Sequence, residues 1–144
     1  MSLGFEFRVR WHDQDAIELN VAAWNGAFGG SANIYEAIGD LRSAADRLRG
    51  FPKDPKDTRE VVFGNFDHKY AGGGVRLRFY CIDGAGHAYV EAVIDSNFLS
   101  GGTIQTATLA MPVEAAAVDT FVQELQRLES DLAGAAHLRC RGMS

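Results

Sequence analysis

Four histidines, three of them close to aspartates, are the residues of this chain best suited to chemistry. His12 stands beside Asp13 and Asp15, His68 follows Asp67, His87 follows a turn containing Asp83, and His137 lies near the C-terminus. An imidazole paired with a carboxylate can move a proton or hold a metal near neutral pH. The local spacings build neither. No histidine pair has the i,i+4 helical spacing of a zinc protease, and Cys81 and Cys140 lack finger spacing. His12, His68 and His87 fall at strand ends, so only the fold could bring them together. Exposed turn positions are the expectation.

Other chemical signals reduce to punctuation. Gly84 and Gly86 form a short Gly-x-Gly, but a strand pattern follows where a dinucleotide loop needs a helix. Gly72-Gly73-Gly74 lacks the lysine and hydroxyl residue of a phosphate loop. Ser31, Ser43, Ser96, Ser100 and Ser130 have no nucleophile-elbow context. The sequence therefore points to no catalytic residue, no metal site and no cofactor, and away from an enzyme.

The arginines are more informative. Arg8 and Arg10 are two apart on one strand pattern, Arg76 and Arg78 on another, and each pair projects to one side. If those strands are neighbours, four guanidinium groups and Tyr80 meet in a patch suited to a carboxylate, a phosphate or an acidic partner. Glu6, Glu18 and Glu91 offer the alternative of a salt-bridged outer face. Trp24 and Phe28 flank a glycine-rich loop, and Phe98 lies in another. Such a tryptophan is either a binding element or a lid over the end of the core. The candidate binding set is Arg8, Arg10, Arg76, Arg78, Tyr80 and Trp24.

The elements that position these residues follow from apolar spacing. Phe5, Phe7, Val9 and Trp11 alternate with Glu6, Arg8, Arg10 and His12, as in a half-buried strand. Ile17, Leu19, Val21 and Ala23 give a second strand. Ile34, Ile38, Leu41, Ala45 and Leu48 share one side of a helix, capped by Ser31 or Asn33 and stopped by Gly50 and Pro52. Four strands follow, near 59–66, 75–82, 87–95 and 103–111. Gly72-Gly73-Gly74, Asp83-Gly84-Ala85-Gly86 and Gly101-Gly102 connect them. Pro112 is placed to open a last helix with Val118, Phe121, Val122, Leu125, Leu128 and Leu132 as its stripe. The segment from His137 to Cys140 adds an edge strand or frays. The predicted fold is α+β, in the order ββαββββα: one mainly antiparallel sheet of about six strands with two helices on one face.

Size and charge narrow the function. A chain of 144 residues, 47% hydrophobic and 23% charged, suits a single domain, 1–144, with a core that needs no metal or disulfide. The net charge of -5 disfavours nucleic acid and anionic membrane as partners and is compatible with a basic protein. No stretch approaches the ~20 apolar residues of a membrane helix. Charged strand residues follow Met1 to Gly4, so no signal peptide is read, and Cys81 and Cys140 are expected as free thiols in a reducing cytoplasm.

Three segments carry a resemblance: Arg47-Leu48-Arg49-Gly50-Phe51-Pro52, Asp83-Gly84-Ala85-Gly86-His87, and Ala107 to Glu114. Together they resemble small uncharacterised bacterial α+β proteins, some of which look like immunity proteins that neutralise toxins. The resemblance implies a non-enzymatic protein partner and carries over no catalytic residue. The leading expectation is thus a protein-binding module. The alternatives are a ligand-binding protein or enzyme with a site between helices and sheet, and a homodimer that pairs an exposed sheet face or edge with its copy.

Overall fold

Ten elements build an α+β fold in the computed structural model, which describes residues 2–97 and 103–142. They are β1 (Gly4–His12), β2 (Ala16–Trp24), β3 (Gly29–Ala37), α1 (Asp40–Leu48), β4 (Thr58–Gly64), β5 (Gly74–Cys81), β6 (Ala88–Asp95), β7 (Thr106–Val113), α2 (Ala115–Asp131) and β8 (Ala135–Arg139). The single six-stranded sheet is corrected to two antiparallel sheets of four strands. The first is ordered β3-β2-β1-β8 and the second β4-β5-β6-β7. The Gly101-Gly102 connection and Phe98 lie outside the described residues.

Two boundaries move for physical reasons. The first helix, expected to start at a cap on Ser31 or Asn33 after a break at Gly29 and Gly30, starts later: residues 29–37 form β3, which pairs with β2 along its whole length. Ala32, Ile34 and Glu36 are buried while Ser31, Asn33 and Tyr35 are exposed, a period of two. Ile38, placed in the helical stripe, is 43% exposed. Gly39 then turns the chain at a φ of 101°, and α1 begins at Asp40. Pro112 lies within β7 rather than opening α2. As an edge-strand residue it needs no amide hydrogen.

The two sheets cross at a corner. β3 runs across the ends of the second sheet, passing β7 at Ala107, Gly73 just before β5, and β4 at Gly64. A Cβ on Gly64 would stand 3.0 Å from the Ile34 Cβ, and one on Gly73 3.2 Å from the Ala32 Cβ. Both would also strike backbone oxygens, at 2.2 and 2.0 Å, so only glycine admits this crossing. The Gly73 amide donates to the Asn33 carbonyl at 2.8 Å and ties the sheets together.

The helices close the open side. α1 packs along β4, α2 along β8, and the helices pack on each other. Phe7 of the first sheet contacts Phe63 of the second at 4.7 Å and Phe121 of α2 at 5.4 Å, ring centre to ring centre. All three are fully buried, in one core shared by both sheets and both helices. Glu129 of α2 caps α1. Its Oε1 accepts the amides of Gly39, Leu41 and Arg42 at 2.8, 3.1 and 3.4 Å, because Gly39 has no side chain to do so.

Each sheet edge is partly sealed. Arg47 donates to the Glu60 carbonyl on β4, and Asn25 to the Ala110 carbonyl on β7. The Arg141 amide takes the Pro112 carbonyl, Glu124 accepts the His137 amide on β8, and Asp40 accepts the Ala37 amide on β3. These contacts remove part of the unpaired backbone row that an edge strand offers to another chain.

Candidate functional site

The outer face of the first sheet is laid out in four rows by strand register. Across β3, β2, β1 and β8 the first three read Gly29–Trp24–Gly4–Arg139, Ser31–Ala22–Glu6–His137 and Asn33–Asn20–Arg8–Ala135. The fourth reads Tyr35–Glu18–Trp11. Trp11 reaches this face through a β-bulge. Val9 pairs with Leu19 and Trp11 with Glu18, which leaves Arg10 as the extra residue. The alternation read from sequence therefore breaks after Val9. Trp11, assigned there to the core side, is 52% exposed.

Polar side chains lock the rows sideways. The Tyr35 hydroxyl donates to Glu18 Oε2 at 2.8 Å, which pushes the phenol above its usual pKa. Asn20 donates to Asn33 at 2.9 Å. Arg8 Nε lies 3.0 Å from Glu6 Oε1, and His137 Nε2 3.1 Å from Glu6 Oε2. The Arg8 hydrogen bond is the main reason that the Glu6 carboxyl stays below the ordinary range.

At one end of this face lies a cleft of about 280 Å³. Gly4 and Ala22 give it a low floor, and Trp24, Glu6, His137 and Arg139 stand around it. The Trp24 indole rests on Gly29, where a Cβ would meet the ring at 2.8 Å.

The sequence-predicted site residues divide between the two sheets. Arg8, Arg10 and Trp24 belong to the first. Arg76, Arg78 and Tyr80 lie on the outer face of the second. β1 and β5 are not neighbours, so the patch of four guanidinium groups does not form. Arg78 instead stacks over Tyr80 at 4.7 Å and is flanked in register by Glu60 and Glu91. Tyr80 stacks on Tyr89 at 6.3 Å.

The histidines are dispersed too. His68 Nε2 lies 2.7 Å from Asp95 Oδ2, in the loop before β5. His87 Nδ1 lies 2.6 Å from Asp83 Oδ2, in the turn after β5, where it holds the Asp83 carboxyl low. The length of β5 separates the two pairs. His12 ends β1, in the other sheet. Among the described residues no group of three or more histidine, cysteine, aspartate or glutamate side chains is arranged to hold a metal ion. Cys81 and Cys140 are free thiols, and burial pushes Cys140 up to about 12.

Four residues of the outer face escaped sequence reasoning as site residues. Trp11 was hidden by the bulge and Tyr35 by the helical reading. His137 and Arg139 join the face only once β8 is known to pair with β1. The signal that finds Tyr35 is the Ala32, Ile34, Glu36 alternation set against β2.

No protein-family model, curated protein or solved structure matches this chain. Among the described residues no helix is long and apolar enough to cross a membrane.

Proposed function

We propose that this chain is a non-enzymatic protein-binding module and that it meets its partner with the outer face of the first sheet. The bulge at Arg10 carries the reading. It interrupts an otherwise regular strand and puts an indole into water, in a row with Tyr35. Bulges re-aim side chains at functional surfaces. Tryptophan, tyrosine and arginine dominate the binding energy of protein interfaces. Trp11, Trp24, Tyr35, Arg8 and Arg139 stand on paired strands, so little ordering cost remains on association. In the immunity-like form of this reading, the partner is a toxin.

The other two readings draw less support. A ligand or catalytic site in the interior would need the space that Phe7, Phe63 and Phe121 fill, which leaves this reading the cleft of about 310 Å³ between α1 and β4, lined by Glu36, Asp40, Ser43 and Arg47. A homodimer formed by edge pairing would have to displace the contacts that partly cover the edge it uses.

The test is affinity capture from an extract of the source cells with three baits: the wild type, Trp11→Ala/Tyr35→Ala and Arg76→Ala/Arg78→Ala. All three are expected to unfold at similar denaturant concentrations, since these side chains are outside the core. A protein retained by the wild type and by the arginine variant, and lost with the aromatic variant, supports the reading. Retention by the aromatic variant with loss in the arginine variant moves recognition to the second sheet.

A further inference from the structure

We propose that the cleft between Trp24 and Arg139 is an anchoring pocket for an aromatic side chain of the partner protein that has a carboxylate beside it. The proposal rests on the recognition role above and specifies what the first sheet grips.

The floor is low by necessity. Gly4 sits between Trp24 and Arg139 in register and has a φ of +113°. A Cβ there would lie 2.0 Å from the Leu138 carbonyl oxygen, so no side chain can fill the gap. Trp24 and Arg139 are two strand spacings apart, about 10 Å. That span takes one ring and one carboxylate laid side by side. The volume, about 280 Å³, fits an anchoring side chain. Sites for drug-sized ligands run from ~300 to ~1,000 Å³.

Charge selects the second half of the anchor. Glu6 is the acidic side chain of the cleft wall, and its two oxygens are engaged by Arg8 and His137. Arg139 makes no ion pair among the described residues. The uncommitted charge of the walls is therefore positive, on a chain whose net charge is -5. A guanidinium binds a carboxylate through two parallel hydrogen bonds, and the indole offers a face or edge to an aromatic ring.

The experiment titrates the 15N-labelled full chain with N-acetyl-phenylalanine, which carries a phenyl ring and a free carboxylate. N-acetyl-phenylalanine amide and acetate are the controls. With the acid, the Gly4, Glu6 and Ala22 amide signals and the Trp24 indole signal are expected to shift together. Affinity should fall about tenfold or more for the amide, for acetate and for the acid against Arg139→Gln. Arg76→Gln should bind as the wild type does. Equal binding of acid and amide, unchanged affinity in Arg139→Gln, shifts that map elsewhere, or no binding overturns the proposal. Partner capture separates this failure from that of the broader reading. If Arg139→Gln still captures the partner while Trp11→Ala/Tyr35→Ala does not, the pocket proposal falls and the recognition face stands. If both capture it, the recognition face falls as well.

Discussion

Glu129, Glu36 and Asp95 are the carboxylates that the fold buries among the described residues, and the two glutamates each make a measurable demand. Glu129 Oε1 replaces the missing side-chain cap of α1, while its Oε2 is buried without a hydrogen-bond partner. Glu129→Ala orphans the amides of Gly39 and Leu41 and should cost about 2–3 kcal/mol in urea unfolding. Glu129→Gln keeps an accepting oxygen and should cost less than half as much. Glu36 is 8% exposed and accepts the Gly64 amide. Burial first, and then a hydrogen bond with Asp40, raise its carboxyl from 4.5 to about 8. Between those values the folded chain holds a proton that the unfolded chain has released. Its contribution is thus fully present below pH 4.5 and is lost as the pH rises to about 8. The unfolding free energy should fall over that window, by an amount on the order of a few kcal/mol, and Glu36→Gln should flatten the fall. Glu6, Asp13, Asp57 and Asp83 are shifted the other way and lose their contributions in acid.

At the scale of elements, the strands with strict alternation were legible and the crossings were not. Ala88, Val90, Ala92 and Ile94 mark β6, and the apolar stripe through Phe121 and Leu125 marks α2. β3 was misread because a spacing of four belongs to both periods: Ile34 and Ile38 share a helix face and also alternate strand positions. Only pairing with β2 resolves the ambiguity, and pairing is a property of two segments. The same limit hid β8, which is five residues long and depends on β1 for its partner. Trp24 was the sequence-predicted residue that reached the cleft, because glycines beside an aromatic are visible in one segment. Phe121 gives the energetic test of this level. It is fully buried against Phe7, so Phe121→Ala should lower stability by roughly 3–5 kcal/mol in denaturant unfolding. A smaller loss would mean that α2 does not join the two sheets into one core.

As a whole molecule, the chain separates support from contact. One core holds two crossed sheets and two helices, leaving two outer sheet faces of different character. The second presents stacked Arg78, Tyr80 and Tyr89 with Glu60 and Glu91 beside the arginine. The first presents indoles, a phenol and a cleft with an uncommitted guanidinium. The recognition reading requires these faces to be unequal. A photo-reactive residue placed at position 31, exposed on the outer face of the first sheet, and separately at position 78, tests this directly in extracts of the source cells. A discrete cross-linked partner is expected from position 31 and none from position 78. A partner captured from position 78 alone would contradict the recognition reading.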